Sequence, residues 1–344
     1  MNMVIRADAS TQIGAGHVMR CLALAQAWRE SGGAVHFVCA DILPSLKTRL
    51  QDAGVLLTCL NVAAGSENDM TRTIAVAQKT KADWVVLDGY QFGSSYQKAI
   101  KHADFRLFCI DDYGHASHYY ADLVLNQNIS ADESFYKSRE PYTRLQLGTQ
   151  FVFLRQEFWP WQGWKRVTPV VARRILVTMG GSDPDNVTMQ VINALITINN
   201  PQLEVQIVAG PGNPHITALE SNLPSAPCSM RLLKDPKDMA DLMASVDLAV
   251  SAGGSTCWEL AFMGVPSCTV ILSDNQCQVA QTLYKQGVAV NLGWFYAINL
   301  RTVVQTIGDL IVDERRRCAM SSQGRLLVDG NGMQAIIAAL REYR

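Results

Sequence analysis

The sequence predicts an α/β protein with two doubly wound, Rossmann-like halves facing each other across a cleft. Two observations predict this fold class. The chain has 344 residues, which is more than one hydrophobic core usually serves, so two domains are expected. Short apolar runs alternate with helix-like segments on both sides of residues 159–169, and this alternation is typical of parallel sheets covered by helices.

The first half is expected to form six strands and three helices. Cys21, Leu24, Ala25 and Trp28 fall on one face at helical spacing, and Gly32-Gly33 ends that segment, so a helix is predicted over about 17–31. The other helices are predicted at about 69–81 and 93–103. The strands are predicted at Met3 to Ile5, Val35 to Cys39, Val55 to Leu60, Trp84 to Leu87, Phe105 to Ile110 and Leu123 to Leu125.

The second half repeats the same alternation after Arg173. Strands are predicted at Ile175 to Met179, Val205 to Ala209, Met230 to Leu233, Leu248 to Ser251 and Ser267 to Leu272. Helices are predicted at about 185–198, 236–244, 256–263 and 276–286, and again over 314–343 with a break at Asp329-Gly330-Asn331-Gly332.

These elements suggest four segments. Residues 1–158 form an N-terminal Rossmann-like domain, and 159–169 form a linker because Pro160, Gly163 and Pro169 interrupt regular structure. The linker tryptophans are assigned to packing at a hinge in preference to a sugar-stacking platform. Residues 170–315 form a C-terminal Rossmann-like domain that binds the nucleotide, and 316–344 form helices that could pack back on the N-terminal domain.

Composition excludes several classes of function. The formal charge of −1 and the scattered lysines and arginines argue against a nucleic-acid partner. No apolar run reaches the roughly 18 residues that span a bilayer, and no signal region is evident, so a cytoplasmic protein without membrane association is expected. The nine dispersed cysteines include no C-x-x-C pair and are interpreted as structural, since several lie inside apolar runs where a reduced thiol behaves as a small core residue.

The loop after the first predicted strand carries the first candidate site. Gly14 and Gly16 allow close approach of the backbone to a ligand, and they deliver His17 to a helix start. The positive end of a helix favours a neutral imidazole, which can accept a proton from water. From the loop alone, a packing or capping role is the more common one for a histidine at a helix start.

Two strands of the second half end in the same tripeptide before a helix. Gly180-Gly181-Ser182 follows the strand at Ile175, and Gly253-Gly254-Ser255 follows the strand at Leu248. Paired glycines at helix starts allow a diphosphate to contact backbone N–H groups, so two phosphate cradles are predicted; two ordinary tight turns are the alternative.

Polar residues near these loops have two interpretations each. Asp183-Pro184-Asp185 could hold a metal, but capping of the following helix explains it, and no metal is predicted. Glu259 fits a capping box with Thr256, or it could accept the hydroxyls of a ribose. Asn275-Gln276 either caps a helix or addresses a ligand. His115 and His118 lack a third ligand nearby, so a metal is not expected there either.

Carboxylates end two strands of the first half. Asp88, followed by Tyr90, ends the Trp84 strand, and Asp111-Asp112-Tyr113 ends the Phe105 strand. In a doubly wound sheet these strand ends lie on the same rim as the His17 loop, so their side chains could share one pocket. Asp residues also begin turns at strand ends routinely.

Taken together, these motifs resemble the nucleotide-sugar hydrolases of pseudaminic acid biosynthesis, the PseG family, within the GT-B group that includes the MurG-type transferases. The motifs that carry the resemblance are Arg6-Ala7-Asp8-Ala9-Ser10, Ile13-Gly14-x-Gly16-His17-x-Met19-Arg20-Cys21-Leu22, Leu87-Asp88-x-Tyr90, Ile110-Asp111-Asp112, Met179-Gly180-Gly181-Ser182-Asp183 and Ser251-x-Gly253-Gly254-Ser255-Thr256-x-x-Glu259. They span nearly the whole chain.

The resemblance implies hydrolysis of UDP-2,4-diacetamido-2,4,6-trideoxy-β-L-altropyranose by water, with cleavage of the C1–O bond, inversion at C1, and no metal or other cofactor. It implies that His17 is the general base, that Tyr90 and Asn275 help to orient the water, and that Asp88 positions the base or the sugar. The substrate-binding set it implies comprises Arg6, Asp8, Gly14, Gly16, Arg20, Gly180, Gly181, Ser182, Gly253, Gly254, Ser255, Thr256, Glu259 and Gln276.

Two departures and two alternatives remain. The MurG-type loop has proline three residues after the histidine, where this chain has Arg20, which argues against a transferase. Residues 66–80 and 139–149 match nothing in the family pattern, so the groups that contact the acetamido substituents are not assigned. The alternatives are a MurG-like UDP-sugar glycosyltransferase and a non-catalytic nucleotide-sugar binding protein. No obligate protein partner is evident.

Overall fold

The computed structural model describes residues 1–10, 13–223 and 226–343. Thr11 and Gln12, which belong to the loop before His17, lie outside the described residues. The chain forms two compact units: unit 1 contains residues 1–156 together with the described residues from Gly330 onward, and unit 2 contains Glu157–Asp329.

Unit 1 is built on a seven-stranded parallel sheet in the order β3-β2-β1-β4-β5-β6-β7. Up to β7 its elements are β1 Asn2–Ala7, α1 Gly16–Glu30, β2 Ala34–Cys39, α2 Pro44–Asp52, β3 Leu56–Cys59, α3 Glu67–Lys79, β4 Trp84–Asp88, α4 Ser94–His102, β5 Arg106–Ile110, β6 Leu123–Asn126 and β7 Arg144–Leu147. The central strands are apolar and buried because helices cover a parallel sheet on both faces.

Unit 2 has a six-stranded parallel sheet in the order β10-β9-β8-β11-β12-β13. Its elements are β8 Arg174–Thr178, α5 Val187–Ile198, β9 Glu204–Ala209, α6 Ile216–Asn222, β10 Ser229–Lys234, α7 Met239–Ser245, β11 Leu248–Ala252, α8 Thr256–Phe262, β12 Ser267–Ile271, α9 Asp274–Lys285, β13 Ala289–Trp294, α10 Leu300–Val312 and α11 Glu314–Leu327. Buried aliphatic residues of β8, β9, β11, α5 and α10 form its core.

The last helix returns to unit 1. α12, Gly332–Glu342, begins where the Gly332 backbone lies against Phe151 and Val152, so closely that a Cβ on Gly332 would lie 2.6 Å from their backbone atoms. The carbonyl of Leu340 accepts a hydrogen bond from the Trp84 indole at 3.2 Å. The break at Asp329–Gly332 is therefore the point at which the chain passes back to the first unit.

The expected segment 316–344 is divided differently in the structure. Only its last part belongs to unit 1, whereas α11 packs on α8 in unit 2. Gly324 of α11 lies against the backbone of Ala261, where a Cβ would come within 3.0 Å of the Ala261 carbonyl oxygen. This close packing of α11 on α8 holds residues 314–327 in unit 2.

Most predicted elements are confirmed within a few residues, and five were missed. The missed elements are α2, β7, α6, β13 and α10. α2 is a polar helix with only Leu46 and Leu50 buried, and β7 and β13 are edge strands that are mostly half-buried. An element with one covered face carries a weaker apolar pattern, so periodicity detects it less readily.

Candidate active site

Both sheets reverse their strand order at one point. The reversal lies between β1 and β4 in unit 1 and between β8 and β11 in unit 2. In open α/β sheets, ligands bind beyond the carboxyl ends of the strands at this point. The His17 loop and Asp88 lie at it in unit 1, and the two Gly-Gly-Ser loops lie at it in unit 2.

In unit 1, His17 and Asp88 form a hydrogen-bonded pair. His17 is in the first turn of α1, Asp88 is the last residue of β4, and His17 Nδ1 lies 2.6 Å from Asp88 Oδ1. Burial opposes charge on Asp88, but the Arg20 guanidinium and the His17 ring hold the pKa of Asp88 below its usual value. An ionised carboxylate only accepts hydrogen bonds, so Nδ1 carries a proton in this contact, and in a neutral ring Nε2 would then be the acceptor.

Arg20, one turn after His17, joins two carboxylates. Its Nε and one terminal nitrogen contact the two oxygens of Asp88 at 2.6 and 2.7 Å. The same guanidinium reaches Asp112 at 2.8 and 3.1 Å. Arg20 is only 9% exposed, and its pKa lies well above the usual value despite burial because both carboxylates face it. Arg20 is therefore placed to fix Asp88 and Asp112, and direct substrate contact is not its evident role.

Tyr90 lies beside this chain of charges. Its hydroxyl donates to Asp112 Oδ2 at 2.8 Å, and its ring meets the His17 ring edge-on with centroids 5.2 Å apart. Asn128 Nδ2 donates to Asp112 Oδ1 at 2.9 Å. The structure thus brings His17, Asp88, Arg20 and Tyr90 together with Asp112, which the sequence also placed on this rim, and it adds Asn128.

Arg6 and Asp8 lie beneath the loop, where the expected direct contact with substrate does not fit. Arg6 is fully buried, with hydrogen bonds of 2.9 and 2.8 Å to Asp69 and 2.6 Å to Asp8. Asp8 is 2% exposed and accepts from the backbone N–H groups of Ala40 and Asp41. Burial and complete pairing make this ion network a support for the loop.

The glycines of the first loop differ from each other. Gly14 has φ +80° and donates its N–H to the Ser10 carbonyl at 2.8 Å, so it closes a turn that favours glycine. Gly16 is the first residue of α1, and a Cβ there would meet no atom within 4 Å. Gly14 is required by backbone conformation, whereas open space lies beside Gly16.

In unit 2, the first Gly-Gly-Ser loop is packed against a third glycine. Gly180 has φ +84°, and the Gly181 carbonyl accepts from the N–H of Gly212 at 2.8 Å. A Cβ on Gly210 would lie 2.4 Å from the Gly180 carbonyl oxygen. Ser182 is half-buried in the same loop. Gly210 was not predicted, although Gly210-Pro211-Gly212 directly after β9 is a recognisable strand-end turn.

The second Gly-Gly-Ser loop lies beside the amide of Gln276. A Cβ on Gly253 would come within 3.2 Å of the Gln276 Cβ, and the Gly253 N–H bonds to the Val270 carbonyl at 3.0 Å. The N–H of Gly253 therefore belongs to the sheet. Gln276 accepts from the Leu272 N–H at 3.0 Å, which holds it next to the loop.

The start of α8 bears on the two interpretations of Glu259. α8 begins at Thr256 with Ser255 in the N-cap position, and in this described part of the chain the Ser255 side chain makes no capping hydrogen bond. Glu259 is thus the fourth helical residue, one position beyond that of a capping-box acid counted from Ser255. This geometry does not match a capping box that begins at Ser255. Glu259 is half-buried.

Asn275 is exposed in the first turn of α9. Its Oδ1 accepts a hydrogen bond from the Ser273 hydroxyl at 2.6 Å, which orients the amide. The structure places it at the carboxyl end of β12, next in chain order to Gln276.

The residues considered for metal binding have other partners. Asp183 accepts from the N–H groups of Val187 and Thr188 at 2.8 and 3.0 Å, which is the predicted capping of α5. His115 contacts Asp111 at 2.9 Å, and His118 contacts Ser138 at 3.0 Å. Among residues 1–10, 13–223 and 226–343, no group of three or more His, Cys, Asp or Glu side chains is arranged to hold a metal ion.

The two units together define the class of fold. Both are parallel-sheet, Rossmann-like α/β domains, and the chain resembles the crystal structure of Acinetobacter baumannii MurG with a TM-score of 0.67 and 17% identity, covering 99% of this chain and 100% of that one. The predicted GT-B class is confirmed. Residues 174–336, under half of the chain, match the Glycosyltransferase family 28 C-terminal domain. In the described residues no helix is long and apolar enough to cross a bilayer.

Proteins with similar sequences indicate which members of this fold class the chain resembles. An uncharacterized protein of Methanocaldococcus jannaschii is 27% identical over 81% of this chain, and the match spans only 57% of that relative. The UDP-2,4-diacetamido-2,4,6-trideoxy-β-L-altropyranose hydrolase of Campylobacter jejuni is 24% identical over 84% of this chain and 98% of its own length. The predicted similarity to the PseG hydrolases is therefore confirmed.

Proposed function

We propose that this protein is a UDP-sugar hydrolase that releases UDP from UDP-2,4-diacetamido-2,4,6-trideoxy-β-L-altropyranose by attack of water at C1. The observation that carries the proposal is the His17–Asp88 pair at the carboxyl end of β4, 2.6 Å apart, because it prepares an imidazole to accept a proton. Similarity to the Campylobacter jejuni hydrolase supports the choice of substrate.

The reaction divides between two kinds of group. His17 Nε2 takes a proton from the water as its oxygen bonds to C1, while Tyr90 and Asn275 orient that water and Asp88 fixes the imidazole. The C1–O bond breaks, and its electron pair leaves with the UDP β-phosphate. Water attacks the face opposite the leaving phosphate, so the configuration at C1 inverts.

The nucleotide belongs to unit 2 in this proposal. Backbone N–H groups of Gly180, Gly181, Gly254 and Ser255 stabilise the diphosphate, and Glu259 accepts the ribose hydroxyls. Ser182, Thr256 and Gln276 complete the surroundings of the phosphates. Fixed dipoles aimed at the developing charge replace a metal ion, so the proposed reaction is metal-independent.

The test supplies the UDP-sugar without an acceptor, in water enriched in ¹⁸O. Proton NMR should show release of UDP and a free sugar whose first-formed anomer is inverted. Mass spectrometry should place the ¹⁸O in the sugar, because the C1–O bond is the one that breaks. Turnover should persist in EDTA. Label in UDP, or no release of UDP, would contradict the proposal.

A second candidate is a UDP-sugar glycosyltransferase, favoured by the family 28 match over residues 174–336. It differs in one measurable respect, because UDP would then be released only when an acceptor is present. The same incubation separates it from hydrolysis. Binding of UDP without any turnover would instead indicate a nucleotide-sugar binding protein.

A further inference from the structure

Asp112, beside the His17–Asp88 pair, accepts hydrogen bonds on both of its carboxylate oxygens. It accepts hydrogen bonds from the Tyr90 hydroxyl at 2.8 Å and from the Asn128 amide at 2.9 Å. Arg20 contacts both of its oxygens at 2.8 and 3.1 Å. Its side chain is 11% exposed. Three donors, from α1 and from the loops after β4 and β6, therefore fix this carboxylate in one orientation.

The proton of the Tyr90 hydroxyl has a defined position as a result. Burial opposes charge on Asp112, but Arg20 holds the pKa of Asp112 well below its usual range, so the carboxylate is ionised at neutral pH. An ionised carboxylate is an acceptor only, and the hydroxyl must be the donor. A phenol that donates its one hydrogen bond to a carboxylate can act only as an acceptor toward any other partner.

We infer that Asp112 is a positioning residue that holds Tyr90 as a hydrogen-bond acceptor for the attacking water. This inference rests on the proposed hydrolysis. A water molecule has two protons to donate, and His17 Nε2 accepts one of them. If the Tyr90 oxygen accepts the other, a lone pair of the water is left to attack C1. With no ionised acceptor at position 112, the Tyr90 hydroxyl could donate to the water and turn that lone pair away.

Arg20 connects Asp112 with the His17–Asp88 pair. Its guanidinium contacts Asp88, which holds the His17 ring, and Asp112, which holds the Tyr90 hydroxyl. The two acceptors for the water are thus fixed by two carboxylates that share one cation. The spacing of the acceptors depends on Arg20 and Asp112, neither of which needs to contact the substrate.

A double-mutant cycle tests the inference. Asp112→Asn should lower kcat on the order of 10²-fold, the usual consequence of a misplaced reacting group, and leave KM and the UDP dissociation constant within about twofold. Tyr90→Phe should lower kcat similarly. The double variant should be no slower than Tyr90→Phe alone, because Asp112 acts through Tyr90. Independent, multiplying losses in the double variant would overturn the inference.

Two further variants guard against a trivial result. Asp122→Asn removes a buried carboxylate that pairs with Lys101 in the same unit, and it should lower the melting temperature without changing kcat. If Asp112→Asn does not fold, Asn128→Ala replaces it, because this variant removes one hydrogen bond to Asp112 and keeps the Asp112–Arg20 ion pair. Asn128→Ala should lower kcat several-fold in the parent but not in the Tyr90→Phe background. Equal losses in both backgrounds would refute the role of Asp112.

The parent enzyme separates this inference from the proposed function. A parent that does not hydrolyse the UDP-sugar overturns both. A parent that hydrolyses it, with Asp112→Asn as fast as the parent, overturns only the positioning role of Asp112.

Discussion

The carboxyl edges of the two sheets have the same strand order at their centres but different chemistry. In unit 1 the strands end in side chains that carry charge: Asp88 is the last residue of β4, Asp112 follows β5, and Arg20 of α1 joins them. In unit 2 the strands end in glycines, with Gly180 after β8 and Gly253 after β11. One topology therefore carries two kinds of strand end: one made of titratable side chains and one made of glycine backbone.

The difference fits what each proposed task would require. Proton transfer needs a titratable group with a fixed tautomer, and a buried carboxylate such as Asp88 fixes the His17 ring. A diphosphate needs several N–H donors at short range, and side chains would obstruct it. Glycine at 210 lets the backbone of Gly180 and Gly181 approach closely, because a Cβ there would lie 2.4 Å from the Gly180 carbonyl oxygen. The two sheets share one topology, and the residues at their strand ends account for the difference between them.

The largest effect should come from removing the base in unit 1. His17→Asn should lower kcat by roughly 10² to 10⁴-fold, the usual contribution of a general base, while the UDP dissociation constant stays unchanged. Steady-state kinetics and calorimetry with UDP measure the two quantities. His102→Asn, an exposed histidine at the end of α4, is the control. Activity of His17→Asn within a few-fold of the parent would show that His17 is not the general base.

The next effect tests the backbone edge of unit 2. Gly210→Ala would place a Cβ 2.4 Å from the Gly180 carbonyl oxygen, so the loop must move. We expect a loss of roughly 1–3 kcal/mol in unfolding free energy, typical of overpacking, together with weaker UDP binding. Gly308→Ala in α10, where a Cβ meets nothing within 4 Å, should be neutral or stabilising. Unchanged UDP affinity in Gly210→Ala would separate this loop from the nucleotide.

Glu259 differs from the glycines of unit 2 because it would bind the nucleotide through its side chain. Glu259→Ala should weaken UDP binding by about 1–3 kcal/mol, the usual loss for a charged hydrogen-bonding partner, with little change in kcat. Titration calorimetry with UDP and, separately, with pyrophosphate distinguishes contacts to the ribose from contacts to the phosphates. An unaltered affinity for UDP would make Glu259 a helix residue only.

The smallest effect concerns stability and pH. The pKa of Asp88 is lowered in the folded chain, so its pairing contributes stability above the unfolded pKa of about 3.9, and this contribution is lost as the pH falls through the lower, folded pKa. The difference in unfolding free energy between the parent and Asp88→Asn should therefore shrink as the pH is lowered from 6 to 3. Urea titrations across that range measure it. A difference independent of pH would mean that Asp88 is not ionised in its pair.

Much of the fold was predictable from the chain because strongly buried strands and helices have regular apolar patterns. The runs at Trp84 and Leu248 became central strands, as predicted. The edge strands β7 and β13 and the polar helix α2 were missed. Most of their residues are half-buried or exposed, so these segments contain too few apolar residues to form a clear pattern. The placement of α11 depended on a contact between Gly324 and Ala261, which no local pattern encodes.

The sequence by itself determined which residues end the strands, because turn chemistry and glycine spacing are local: His17, Asp88, Tyr90 and the Gly-Gly-Ser loops were all recognisable. Tertiary structure alone decided their partners. Arg6 turned inward to Asp69, 63 positions away, and Arg20 turned to Asp112, 92 positions away. The physical reason is that a charged side chain loses its water on burial and must find an opposite charge wherever the fold supplies one.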